Sequence, residues 1–302
     1  MHDIKIGTLV SADNVAKVMP KLIPYGFETF SITFWETIGD WDLEQLAKDV
    51  RKILEGTNCK ISCLSIFSNP LIDTEKGDAA KYSWEQLISN AHLFGTDLVT
   101  GFAGRVIDRP VEESIPKFKE VFTPLAKLAQ GKNVKIAFEN CDMGGNWNTG
   151  NWNIAFSPTA WEMMFEAVPY ENMGLQWEPC HQMVQLVDPI PQLRKWVKKN
   201  RIFSVHGKDA TIAWDVIAKK GIRGVEQFVW HRTPGFGDSN WTDIISILRM
   251  AGFTGSIDIE GWHDPVYRQE LEYTGQVYAL NYLKNCRGGE YVPNFESEDV
   301  RI

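Results

Sequence analysis

The chain has 302 residues, enough for one large barrel or two ordinary domains, so its length alone does not decide the architecture. Its formal net charge of -8 argues against a nucleic-acid partner, because such partners need clustered Lys and Arg. No apolar run is long enough for a membrane span, and the N-terminus has no export signal. The five cysteines are scattered, without a CxxC pair. We therefore expect reduced thiols and a cytoplasmic protein.

Short apolar runs rich in β-branched residues alternate with amphipathic, helix-favouring stretches along the chain. Predicted strands cover residues 4–10, 28–33, 60–67, 98–102, 134–139, 173–178, 202–206 and 256–260. Predicted helices cover residues 11–23, 43–54, 84–93, 111–129, 158–166, 189–199, 241–251 and 266–283. This alternation is typical of a parallel sheet with crossover helices. We predict an α/β protein with a single (β/α)8 TIM-barrel domain over residues 1–302.

Two connections are long for a compact barrel, at about 140–157 and 207–240. Each follows a strand that ends in a polar residue. Long loops in such folds usually cover active sites, so we expect both to lie over the active site.

Four predicted strands end in a side chain that can bind a metal: Glu139, Glu178, His206 and Glu260. Taken singly, a strand-end glutamate more often forms a loop salt bridge, and a lone histidine more often donates to a backbone carbonyl. The carboxyl ends of barrel strands converge, however, and a buried carboxylate is costly unless a cation offsets its lost hydration. Three carboxylates and one imidazole predict a divalent metal site. Mn²⁺ is the ion we favour, with Mg²⁺ or Co²⁺ as alternatives.

Twelve tryptophans are more than a chain of this length ordinarily contains. Those in predicted loops are Trp35, Trp147, Trp152, Trp214, Trp230 and Trp262. One interpretation is that they pack the loops against the barrel or a partner. The other is a ring-binding cleft, because sugars and planar aglycones both lie well on indole faces. On the second interpretation Trp147, Trp152 and Trp262 contact substrate.

Five segments resemble, in family order, the xylose isomerase-like sugar phosphate isomerase/epimerase superfamily. They are residues 138–143 (FENCDM), 174–181 (GLQWEPCH), 201–209 (RIFSVHGKD), 233–237 (TPGFG) with Trp241, and 257–260 (IDIE). The resemblance covers roughly the C-terminal half of the chain. The first half matches the family only in its alternation of predicted strands and helices. It implies a TIM barrel with one divalent metal.

The resemblance also implies residue roles. Glu139 and Glu260 would bind the metal, flank the substrate and act as acid and base, and Glu178 and His206 would complete the site. Glu178 stands where the family usually has Asp, which lengthens the ligand by one methylene. His181 keeps the histidine of the family's Asp-Pro-x-His block. It would touch a substrate hydroxyl, relay a proton, or only pack at a helix start.

Lys208, in the His-x-Lys-Asp element, and Arg232 match substrate-contacting positions. The implied reaction removes a proton next to a carbonyl of a sugar or keto-sugar through an enediolate, in an isomerase or epimerase. The alternative is a β-eliminating lyase that cleaves 3-oxo-glycosides, similar to the catalytic subunits of C-glycoside deglycosidases, which work with a small β-sandwich partner subunit. Other superfamily activities, such as dehydratase, remain open. The family habit also implies a homo-oligomer.

Two further alternatives belong to other classes. A phosphodiester-cleaving endonuclease would bind several metals through more His and Asp residues, and the six histidines and acidic balance of this chain give it little support. A non-catalytic sugar-binding protein would require a vestigial metal site, yet all four ligand positions carry competent side chains.

Overall fold

The structure is a computed structural model that describes residues 3–224, 226–261 and 263–293. Within these ranges the chain forms ten strands. They are β1 Lys5–Ser11, β2 Thr29–Trp35, β3 Lys60–Phe67, β4 Leu98–Gly101, β5 Lys135–Glu139, β6 Met173–Trp177, β7 Ile202–Gly207, β8 Asp209–Ile212, β9 Val229–Arg232 and β10 Ser256–Ile259. All except β8 and β9 pair in parallel and close one barrel in the order β1-β10-β7-β6-β5-β4-β3-β2. The predicted eight-stranded TIM barrel is confirmed.

Helices follow the barrel strands and pack around the barrel. They are α1 Val15–Leu22, α2 Leu43–Leu54, α3 Glu75–Asn90, α4 Val111–Gly131, α5 Pro158–Ala167, α6 Cys180–Val184, α7 Pro189–Lys198, α8 Trp214–Lys220, α9 Trp241–Met250 and α10 Glu272–Cys286. None of the helices in the described ranges combines the length and the hydropathy that a membrane crossing requires.

Alternation along the strands separates two environments. Outward side chains form the apolar core: the ring of Phe138 on β5 meets those of Trp84, Phe118 and Phe122 at centroid distances of 6.2, 5.5 and 4.9 Å. All four side chains are fully buried. The core that stabilises the fold therefore lies between the barrel and its helices, in the arrangement that a parallel sheet needs.

The barrel lumen is polar. Ser31, Ser65 and Thr100 form a hydrogen-bonded row, with oxygen separations of 3.0 and 2.7 Å. Over Gly7 of β1, Thr29 on β2 donates to Asp258 on β10 over 2.7 Å. A Cβ at Gly7 would lie 2.1 Å from the Thr29 hydroxyl, so only glycine fits there. The site at the carboxyl ends of the strands thus stands on a floor of small polar groups.

The start of α3 differs from the prediction, which placed it at Trp84. The helix begins at Glu75, where the hydroxyl of Thr74 accepts a hydrogen bond from the Gly77 N–H. Gly77 is required by packing, because its Cβ would lie 1.9 Å from the carbonyl oxygen of Ile72. A glycine in the first turn made this segment resemble a loop.

The segment 207–240 is also more ordered than the predicted loop. The antiparallel pair β8 and β9 and the helix α8 lie within it, so Trp230 is in a strand and Trp214 in a helix. Asp209 anchors the segment by accepting hydrogen bonds from the Ser239 N–H and the Trp241 Nε1–H, over 3.0 and 3.1 Å. These hydrogen bonds join residues that are far apart in the sequence and leave no hydrophobic periodicity, so the sequence pattern did not predict them.

Candidate metal centre

The four predicted ligands come together at the carboxyl end of the barrel. Glu139 ends β5, Glu178 follows β6, His206 lies on β7 and Glu260 follows β10. One ligand atom from each lies within 4.8 Å of those of the other three. All four side chains are buried, with exposed fractions of 4, 0, 0 and 8%. Four adjacent or nearly adjacent strand ends therefore build one compact cluster.

The cluster contains polar atoms that protein hydrogen bonds do not satisfy. Both carboxylate oxygens of Glu178, both ring nitrogens of His206 and Oε2 of Glu260 make no hydrogen bond of good geometry, although Glu178 Oε1 and Glu260 Oε2 each lie close to an imidazole nitrogen. His206 Nδ1 lies 3.2 Å from Glu260 Oε2 and 3.9 Å from Glu178 Oε2. Buried polar atoms are normally paired, and convergence of unpaired oxygens and a nitrogen is what a cation site requires. The donor set fits a divalent ion that prefers oxygen and imidazole ligands.

The charge of the cluster is partly balanced by Lys208. Its buried ammonium lies 2.6 Å from Glu260 Oε1. With all three carboxyl groups ionised and His206 neutral, as metal binding requires, the ammonium of Lys208 leaves two negative charges in a buried site. A divalent cation would neutralise them, whereas an apolar surrounding without one would favour protonation of a carboxyl group.

The two glutamates that flank the cluster differ in acidity. Burial raises the pKa of Glu139 to about 7. Burial acts in the same direction on Glu260, but Lys208 and His206 outweigh it and hold the pKa of Glu260 well below its usual value. Two carboxyl groups whose environments separate their pKa values are the usual arrangement for one proton-accepting and one anionic group.

His181, on the short helix α6, joins this cluster. Its Nε2 lies 2.5 Å from Glu178 Oε1 and 3.9 Å from Glu139 Oε1. Burial, and then the positive charge of Lys208, lowers the pKa of His181 well below its usual value, so the imidazole is neutral. A neutral imidazole can accept one proton and donate another, which suits a contact with a substrate hydroxyl.

The family model described as xylose isomerase-like TIM barrel matches residues 22–282. The chain belongs to this family. A curated relative, inosose dehydratase from Clostridium tetani, is 27% identical over 191 residues. That match spans 59% of this chain and 59% of the relative.

Solved structures support the same fold for this xylose isomerase-like protein. A xylose isomerase domain protein from Planctomyces limnophilus has a TM-score of 0.71 at 16% identity, covering 94% of this chain and 97% of that one. The 3-keto-D-glucoside 4-epimerase of E. coli has a TM-score of 0.68 at 15% identity, covering 94% and 100%.

Two asparagines that the sequence analysis did not single out hold the ligand strands of this xylose isomerase-like barrel. The amide of Asn140 accepts from the Glu178 N–H over 2.7 Å and donates to the Glu178 carbonyl over 2.9 Å. Asn153 donates to the carbonyls of Glu139 and Cys141 over 2.8 and 2.7 Å. Asn140 directly follows a ligand, which was the available signal. Asn153 acts through a long-range contact that no local pattern indicates.

Arg232 lies in the β8–β9 segment of the xylose isomerase-like protein and is held by Asp264. Its Nε lies 3.3 Å from Asp264 Oδ2, and the same carboxylate caps the backbone N–H groups of Thr233, Val266 and Tyr267. Asp264 therefore orders a loop. Next to Arg232, His231 was missed by the sequence analysis, and its ring centroid lies 5.2 Å from that of His181.

The predicted substrate-binding tryptophans have different surroundings. Trp147 is partly buried against the core, and its Nε1 donates to Glu112 over 2.8 Å. These are the contacts of a residue that packs the 140–157 loop. Trp152 instead packs against the apolar cluster of Phe67, Phe102 and Cys141, and Cys141 is two residues beyond the predicted ligand Glu139. Trp262 lies outside the described residues.

Proposed function

We propose that this chain is a divalent-metal-dependent enzyme that removes the proton next to a carbonyl of a sugar or keto-sugar, as an isomerase or epimerase. The observation that carries the proposal is the buried cluster of Glu139, Glu178, His206 and Glu260, whose unpaired atoms lie within 4.8 Å of one another. Relatives named as a dehydratase and a keto-glucoside epimerase support sugar chemistry on this barrel.

The residues have separate tasks in this proposal. A divalent cation held by the four ligands would polarise the substrate carbonyl and stabilise the negative charge that develops on its oxygen. Glu139, the buried carboxylate at the end of β5, accepts the proton from carbon. Lys208 keeps Glu260 ionised and presents its ammonium to a substrate oxygen. His181 exchanges a hydrogen bond with a neighbouring hydroxyl.

The fate of the enediolate decides the type of enzyme. Return of the proton to the same carbon from the other face gives an epimer, and its return to the adjacent carbon gives an aldose-ketose isomer. Glu139 accepts the proton in either outcome, and return of a proton from the other face requires Glu260 to take up first the proton that the Lys208 ammonium, 2.6 Å away, can supply.

β-Elimination from a 3-oxo-glycoside is the second candidate. It is favoured by Glu178, which departs from the family's usual Asp, and by the aromatic residues near the site, among them Trp152.

The test is to incubate the Mn²⁺-loaded protein in D₂O with free aldoses and ketoses, and separately with 3-oxo-glycosides. NMR would follow deuterium at the sugar carbons and release of the aglycone. Deuterium in a free sugar, with an isomer or epimer appearing, supports the first proposal. Aglycone release alone, with or without an added partner subunit, supports the lyase. Glu260→Gln is the matched loss-of-function variant, and unchanged turnover in it would refute the mechanism.

A further inference from the structure

The end of the barrel opposite the metal cluster contains a cavity of about 480 Å³, here called the lower cavity. Its lining includes the first residues of β4, β7 and β10, which are Leu98, Ile202 and Ser256. The metal cluster lies at the carboxyl ends of the same parallel barrel, so the two sites are separate. Small-molecule sites usually have volumes of roughly 300–1,000 Å³, and the lower cavity falls within that range.

An irregularity in β7 shapes the floor of the lower cavity. The pairing of β7 with β6 shifts by one residue between Ile202 and Ser204, so Phe203 is an extra residue of the strand. The Phe203 ring packs in a small cluster with Cys63, whose thiol contacts the polar lumen. A Cβ at Gly174 would lie 2.7 Å from this ring, so glycine leaves the space that the ring occupies. The floor therefore combines an aromatic ring with the hydroxyl of the next residue.

That hydroxyl, of Ser204, is an unpaired polar group. Ser204 is 1% exposed, and its Oγ has no hydrogen-bond partner among the residues that the structure describes. Buried hydroxyl groups are normally paired with protein or with a bound molecule. Because Ser204 lines the lower cavity, a ligand oxygen there would supply the missing partner.

The charges around the lower cavity favour a ligand without a net charge. Of the described residues that line it, only Asp97 and Lys135 are ionised, and their side chains pair over 3.4 Å. The helices α7 and α9 end beside the cavity, where Asn200 and Ala251 belong to its lining. Helix C-termini present carbonyl oxygens and a partial negative charge, which disfavour an anion and accept hydrogen bonds from hydroxyl groups.

We propose that the lower cavity binds an uncharged, polyhydroxylated molecule, a free sugar or a cyclic polyol, at a site distinct from the metal cluster. Its hydroxyl groups pair with Ser204, with the Asn200 amide and with the carbonyls at the ends of α7 and α9. Its C–H face lies on the Phe203 ring, since apolar faces of sugars pack well on aromatic rings. This inference does not depend on the proposed function.

The experiment measures the affinity for myo-inositol by saturation-transfer NMR. This cyclic polyol has no carbonyl, so the proposed reaction cannot consume it. Ala251→Trp places an indole in the lower cavity and should abolish binding. Met250→Trp is the matched control, because Met250 is 73% exposed and lies outside the lining. We expect this control to bind within about twofold of the original affinity, as surface substitutions usually change little.

Ser204→Ala is the second variant. It removes no hydrogen bond within the described part of the protein, so the fold should be retained, and thermal unfolding of each variant checks this. One lost hydrogen bond to the ligand should weaken binding about fivefold.

Three results would overturn the proposal. The first is absence of myo-inositol binding to the original protein. The second is equal binding by Ala251→Trp, or an affinity that Ser204→Ala leaves unchanged, because the polyol would then lie elsewhere. The third is tighter binding of myo-inositol 1-phosphate that Ala251→Trp abolishes, which would assign the lower cavity to an anion. Binding that persists in Glu260→Gln and is lost in Ala251→Trp would support a site apart from the metal cluster.

Discussion

Replacement of Glu178 by Gln should raise the free energy of unfolding of the metal-free protein. It should also reduce the further stabilisation that added metal provides. Glu178 is fully buried, and its carboxylate makes no hydrogen bond of good geometry, although His181 Nε2 lies 2.5 Å from Oε1. Without a cation, its charge lies in a cluster with those of Glu139 and Glu260. The glutamine side chain has nearly the same shape and no charge, so it removes the electrostatic cost and keeps the packing.

The expected magnitude follows from these contacts. An unpaired buried polar group costs about 1–3 kcal/mol, and more when it is charged. Loss of the 2.5 Å approach to His181 offsets part of the gain. We therefore expect the free energy of unfolding of the metal-free variant to rise by about 1–3 kcal/mol. For a chain of this size, that raises Tm by roughly 2–6 °C.

Added metal should reverse the order of stability of the two proteins. A cation at one hundred times its Kd stabilises the folded protein by about 2.7 kcal/mol, and a variant that no longer binds it loses that increment. The assay is thermal unfolding of both proteins with EDTA and with Mn²⁺, alongside Glu85→Gln as a control at an exposed position on α3. A Glu178→Gln protein that is less stable in EDTA, or that keeps the full Mn²⁺ shift, would refute the assignment of Glu178 as a ligand.

Three further predictions concern other parts of the molecule. Burial would raise the pKa of Glu28, but the Arg287 guanidinium, 2.6 Å away, holds it below its usual value. Glu28→Gln should therefore cost about 2 kcal/mol in urea unfolding at pH 7, a difference that shrinks as the pH falls through the lowered pKa of Glu28 and would be pH-independent if the pair were unimportant. Trp147→Ala should lower the free energy of unfolding by about 2 kcal/mol at unchanged KM, and a raised KM at unchanged stability would instead support the prediction that Trp147 contacts substrate. Glu139→Gln should abolish deuterium exchange in D₂O, and exchange at the original rate would exclude Glu139 as the base.

The barrel fold and the meeting of Glu139, Glu178, His206 and Glu260 at one rim could be predicted because both follow from alternation along the strands. A Glu or His at the last inward position of an apolar strand can be recognised in the sequence. Parallel barrel strands bring such ends together at one rim.

The missed features depend on contacts between distant segments. Asn153 reaches back to the carbonyls of Glu139 and Cys141, and Asp209 reaches forward to Trp241. Such hydrogen bonds fix a loop in one position, yet they leave no periodic pattern in the chain. The same reason explains why the sequence does not separate the tryptophans of one loop. Trp147 and Trp152 lie five residues apart, yet Trp147 packs against the main core and Trp152 against the smaller cluster of Phe67, Phe102 and Cys141.

The two faces of the barrel strands have separate roles in this protein. Barrel interiors of this fold are usually filled by bulky branched side chains, which contribute to stability. Here the lumen has Ser31, Ser65 and Thr100 in a hydrogen-bonded row, and the apolar burial lies on the outward face around Phe138. Because the outer layer supplies the core, the inward positions are free to carry polar and ionisable groups. Inward residues at the ends of β5, β6 and β10 can therefore differ in charge and shape without loss of the fold, which allows one barrel to support different sugar chemistries.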